Sequence, residues 1–182
     1  MMGLFFYWYF CVLKCVFTQR SAKRKLEVRQ RIIKNFAYWA TDNKDIADLC
    51  RLNMANLLHG SITDSILKVY NELGAGFLEK VYQNAMYFEL IARGYKVEAQ
   101  EQIKVFFKKQ LIGDYFADLL VEDKVIVELK ACELLMNAHV AQTMNYLKAT
   151  EIEVGLLLNF GEEPEFKRFI YTNDRKINLK NQ

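Results

Sequence analysis

Asp118, Glu128 and Lys130 are the residues of this chain whose types and spacing suit chemistry. Asp118 lies in the apolar run Leu111–Val121, otherwise broken only by Gly113 and Asp114. Glu128 interrupts the β-branched run Val125–Leu129, and Lys130 follows two residues later. Both runs have strand character, and Glu122-Asp123-Lys124 is the polar turn between them. Strand side chains alternate between faces, so Glu128 and Lys130 share one face and Val127 and Leu129 the other. A hairpin turning at 122–124 sets Asp118 roughly opposite Glu128. Two carboxylates and an ammonium then converge on one patch of otherwise hydrophobic sheet.

Charges in apolar surroundings are disfavoured unless paired or bound to a metal. One reading is a structural salt bridge, Glu128–Lys130 or Asp118–Lys130, the commoner fate of so short a pattern. The other is a hard-cation site, since two carboxylates plus a backbone carbonyl suit Mg²⁺. The lysine cannot ligate a cation, but it can orient a water or stabilise negative charge developing on a phosphate.

These strands need elements to position them. Ser61 followed by Asp64 predicts a helix start, with Ile62, Ile66, Val69, Tyr70 and Leu73 as its apolar stripe and Gly74-Ala75-Gly76 as its end. A second helix is predicted from about Phe77 to Arg93, closed by Gly94, with Leu78, Val81, Tyr82, Ala85, Met86 and Leu90 apolar. Glu79 falls in its first turn, where complementing the helix dipole is the plain reading. Glu89 is expected to be solvated or capping. A short strand at 95–100 and another at 103–107 precede the Lys108-Lys109-Gln110 turn. Lys104, Lys108 and Lys109 read as solvated edge and turn residues before they read as phosphate contacts.

A helix from about Ala138 to Ala149 stacks Gln142 and Tyr146 on one face, with His139 one turn earlier. The pair reads as a phosphate or base contact, or as a core tyrosine beside a capping glutamine. His139 reads as a helix-start histidine before a proton carrier. The continuous apolar run Val154–Phe160 predicts a strand buried on both faces, reached by a right-handed crossover. A last strand is predicted at 166–171, then a polar, frayed tail from Asn173.

Five blocks in order carry a resemblance: Gly74-Ala75-Gly76-Phe77-Leu78-Glu79-Lys80-Val81-Tyr82, Ala117–Val121, Ile126–Ala131, Gln142–Thr150 and Gly155–Gly161. From about Leu57 to about Tyr171 the chain resembles the GxxExxY family, a branch of the PD-(D/E)XK nuclease superfamily. Tyr70 departs from the histidine expected there. The resemblance implies an α/β, restriction-endonuclease-like fold, a mixed central sheet flanked by helices. It makes Asp118, Glu128 and Lys130 the acid, acid and lysine of a metal-dependent nuclease, with Glu79 an additional helix glutamate. It matches Gln142 and Tyr146 to the QxxxY motif of exonuclease-like members, as nucleic-acid contacts. The expected activity is phosphodiester hydrolysis, in DNA, with Mg²⁺ or Mn²⁺ held by Asp118, Glu128 and the Leu129 carbonyl. The competing expectation is a catalytically silent nuclease-fold module that binds nucleic acid or protein.

Composition bounds these readings. The 182 residues are 52% hydrophobic with one proline, enough for one domain with a core. Net charge is +3, but residues 1–53 carry +6 and residues 54–182 carry −3. The nuclease-like part thus lacks a large basic footprint, which suits dependence on a metal, a protein partner or a homodimer. Cys11, Cys15, Cys50 and Cys132 form neither a disulfide framework nor a zinc pattern, so a reducing, cytoplasmic setting is expected. Residues 1–17 are aromatic and apolar, with a basic stretch from Arg20 to Arg31 after them. The run is short for a span, positive charge follows it and no cleavage site is evident, so a secretory signal fits poorly and membrane association is not expected. The alternative reading is a short signal anchor with its basic flank in the cytoplasm. Residues 1–53 read as an extension upstream of a working domain at 54–182, with translation able to begin at Met54.

Overall fold

The computed structural model describes residues 44–176, with side chains from residue 58 onward. The apolar run at 1–17 and the basic stretch after it lie outside the described residues. The chain divides into two compact units at Met54/Ala55, and the second carries the sheet. The described elements run α1 (Lys44–Leu73), α2 (Glu79–Ala92), β1 (Val97–Phe107), β2 (Gln110–Val121), β3 (Val125–Lys130), α3 (Asn137–Ala149), β4 (Val154–Phe160) and β5 (Pro164–Ile170). The five strands form one mixed sheet in the order β1-β2-β3-β4-β5. Every pairing is antiparallel except β3 with β4, which run parallel and are joined through α3.

Helices cover both faces. Val125, Val127, Leu129, Leu156, Leu158 and Phe160 pack with Ile62, Ile66, Tyr82, Met86 and Leu90 from α1 and α2. On the other face, Ile126 and Ile103 pack with Tyr146, Leu147 and Ala149 of α3. Each buried Val, Leu, Ile, Met or Phe among them contributes about 1.5–3 kcal/mol by leaving water. All seven residues of β4 are buried, as a continuous apolar run implies. α3 lies so close that a Cβ at Gly155 would stand 3.0 Å from the Thr143 methyl.

Several local expectations are corrected. Ser61 does not start a helix: α1 is already running there, and the Ser61 carbonyl accepts from the Ser65 hydroxyl at 2.9 Å. Leu78 (81% exposed) and Val81 (39%) are not on the buried face of α2; Gln83 is, at 3%. Glu89 is not free in solvent, because Lys68 of α1 and Arg93 both reach it at 2.6 Å. The strands expected at 95–100 and 103–107 are one strand, β1, with Gln100 at φ +56° inside it. The tail is not frayed at its start: Lys176 is buried and donates to the Thr150 and Ile152 carbonyls at 2.8 and 2.7 Å. The turns fared as expected. Lys108 and Lys109 both take positive φ in a two-residue hairpin, and Gly74 and Gly94 take positive φ after the two helices.

Gln100 marks a break. The β1–β2 ladder pairs Ala99 with Leu119 and Glu101 with Ala117, and skips Gln100 and Asp118 between them. Leu119 packs in the core under α1 and α2, whereas Ala117, two residues away, packs in the core under α3. A regular strand would put both on one face. The hairpin therefore turns about Gln100 and Asp118, and β2 stops pairing with β3 after Leu119↔Val127. Among the described residues no helix is long and apolar enough to cross a membrane.

Candidate active site

The site opens where β2 and β3 part. Asp118 is the first residue of β2 beyond the paired segment, and its Oδ2 accepts the Leu129 N–H at 2.8 Å. The side chain thus takes a strand donor on β3. Its Oδ1 faces the Gln100 amide at 3.3 Å. Its backbone carbonyl accepts from Gln83 Nε2 at 2.9 Å, and Lys80 holds the other end of that amide at 2.7 Å.

Glu128 and Lys130 project together, as alternation requires. Lys130 Nζ donates to Glu128 Oε1 at 2.8 Å. Glu79, from the first turn of α2, brings Oε1 to 3.8 Å from the same ammonium. Glu128 is 2% exposed, and its Oε2 is buried with no hydrogen-bond partner. Such an orphaned carboxylate oxygen is costly and calls for a cation or proton.

The electrostatics agree. Burial, and then the Asp118 charge beside it, push the Glu128 carboxyl up to about 7. Burial also raises Asp118 and Glu79, against the pull of Lys130. Burial would lower Lys130, but its hydrogen bond to Glu128 and the charges of Glu128, Glu79 and Asp118 outweigh that and hold it above the usual lysine value. The centre therefore holds more negative charge than one ammonium relieves.

On α3, Gln142 Nε2 donates to the Tyr146 hydroxyl at 2.7 Å. Burial raises the Tyr146 phenol, opposed by that bond and reinforced by the Glu128 and Asp118 charges. The tyrosine ring is core, and the Gln142 amide is taken up by its hydroxyl. Tyr115 of β2 leans on it with ring centroids 6.1 Å apart. His139 is a helix-start residue, its Nδ1 accepting the Met136 N–H at 3.2 Å.

The structure thus brings Asp118, Glu128, Lys130 and Glu79 together and sets Gln142–Tyr146 beside them. The sequence reading missed Gln83 and Gln100, the two amides on Asp118. A buried glutamine one position from the apolar stripe and a polar residue between two short strand runs were the signals available.

Among the described residues no three Asp, Glu, His or Cys side chains gather into a ready metal cage. A hard cation such as Mg²⁺ does not need one, because it keeps waters and takes one or two carboxylates plus substrate oxygens. The orphaned Glu128 Oε2 beside Asp118 fits such an ion.

No curated protein matches the sequence. Among solved structures, the alkaline exonuclease LHK-Exo of Laribacter hongkongensis is similar over 52% of this chain and 55% of its own, with 16% identity and a TM-score of 0.35. This chain therefore spans about half the length of that exonuclease. The protein SSO0001 is similar over 66% of this chain and 70% of its own, with 14% identity and a TM-score of 0.39. The model of the PD-(D/E)XK nuclease superfamily matches residues 56–169, which include all of the acidic centre and the Gln142–Tyr146 pair. The chain belongs to the PD-(D/E)XK nuclease superfamily.

Proposed function

We propose that this chain is a metal-dependent nuclease of the GxxExxY type that hydrolyses phosphodiester bonds, in DNA. The observation that carries the reading is the buried Glu128 carboxylate, with one oxygen on Lys130 and the other without a partner, beside Asp118. Asp118, Glu128 and the Leu129 carbonyl would hold Mg²⁺ or Mn²⁺. Such an ion supplies charge neutralisation at the phosphate and activation of a water.

The side chains divide the remaining work. Lys130 stays charged, so it acts as a donor to the attacking water or to a phosphate oxygen and not as a base. Glu79, at the rim, would complete the ion's outer shell or a second metal site. Tyr146, already accepting from Gln142, has its own proton available for a phosphate oxygen of the bound strand.

Calorimetric titration of Mg²⁺ and Mn²⁺ into the full chain tests the reading, with Asp118→Ala and Glu128→Ala alongside. Binding that both substitutions abolish, followed by cleavage in a screen of single- and double-stranded DNA and RNA, is the expected result. A folded chain that binds no ion, cleaves nothing, yet retains polynucleotide would be a silent binding module instead.

A further inference from the structure

We propose that Gln100 is a positioning residue for the Asp118 carboxylate, and that its left-handed backbone exists to bring its amide there. This rests on Asp118 being a cation ligand. Asp118 sits at the level where β1 and β2 skip a ladder pair and β2 and β3 cease to pair. A strand residue at such a point has lost its neighbours' hold on both sides. Three contacts replace them: Leu129 N–H on Oδ2, Gln100 Nε2 on Oδ1, and buried Gln83 on the carbonyl.

Gln100 alone among these reaches its contact through an unfavourable backbone. Its φ of +56° lies in the left-handed region, which disfavours a side chain with a Cβ. Strain of this sort persists where the surroundings over-determine it and collects at functional sites. The same conformation removes Gln100 from the ladder and turns its amide toward Asp118. With Oδ1 and Oδ2 each met by one donor, the carboxylate plane is fixed, and a lone pair on each oxygen remains for a cation.

Two substitutions separate positioning from plain structure. Gln100→Gly removes the amide and relieves the backbone; Gln100→Ala removes the amide and keeps the strain. Each full-length variant is titrated with Mn²⁺ by calorimetry, beside wild type and Asp118→Ala, and its thermal midpoint is measured. Both variants are expected to bind Mn²⁺ on the order of 10-fold more weakly. The glycine variant is expected to melt at or above the wild-type temperature, and the alanine variant no higher than wild type. A glycine variant with wild-type Mn²⁺ affinity overturns the proposal, as does one whose weaker binding comes with a lowered midpoint. Wild type that takes up no Mn²⁺ would instead overturn the reading of Asp118 as a ligand.

Discussion

The Leu129 N–H donates to Asp118 Oδ2 across 2.8 Å at the level where the two strands stop pairing. A carboxylate has replaced a strand carbonyl in the sheet. Replacing Asp118 by Asn keeps an acceptor for that N–H, whereas Ala leaves a part-buried donor unmet. We expect Asp118→Asn to fold with near wild-type stability and Asp118→Ala to lose about 1–3 kcal/mol in urea unfolding. Both should lose Mn²⁺ binding. Equal stability of the two variants would show that the bond contributes nothing to the fold.

Glu128 gives a second prediction. Its charge is buried, and its one ion pair leaves an oxygen unmet. In Glu128→Gln the desolvated charge and the repulsion from Asp118 are gone, so the metal-free protein should melt at the wild-type temperature or above. A saturating divalent ion should then raise the wild-type midpoint and not the variant's. At about 100 times the dissociation constant the gain is about 2.7 kcal/mol, or roughly 5–10 °C for a chain of this size. Parallel shifts in both proteins would place the ion elsewhere.

How much of this was legible in the sequence depends on whether the cause is local. Asp118, Glu128 and Lys130 could be placed together from the period of two and the turn at 122–124, because register in a short hairpin is set by its turn. The Gln142–Tyr146 contact followed from helical spacing alone. Gln83 and Gln100 could not be found that way. Gln83 is buried because α2 presents Tyr82, Met86 and Leu90 to the sheet and the strand carbonyl at Asp118 lies beside that line. Gln100 bends a strand that its own residues would build straight. Exposed Leu78 is the converse case: an apolar residue on the solvent side of the turn that presents Glu79.

Gly161 tests how tightly the end of β3 is held. A Cβ there would lie 2.6 Å from the Cys132 carbonyl, which also accepts from Asn159 at 2.8 Å. Backbone must move, and Cys132 is two residues past Lys130. Gly161→Ala should therefore cost about 1–3 kcal/mol of stability in urea unfolding. It should also weaken Mn²⁺ binding, although it touches no charged group. Wild-type values for both would mean that the loop after β3 is slack enough to yield.

Lys176 carries the pH prediction. Its side chain is 1% exposed and its ammonium sits on the Thr150 and Ile152 carbonyls, in the connection from α3 to β4. Burial lowers it to about 8 from 10.5, against the charges of Glu153 and Glu151. The folded pKa is below the unfolded one, so between them the unfolded chain binds more protons and stability rises with pH. Below about 8 the cost of burying the ammonium is present in full; above about 10.5 it is absent. Lys176→Met has no such titration. Urea unfolding of both proteins near pH 7.5 and 9.5 should show wild type gaining about 1–2 kcal/mol on the variant as pH rises. Equal changes in the two would mean that water reaches the ammonium in the folded chain, and that the two carbonyls hold a solvated group.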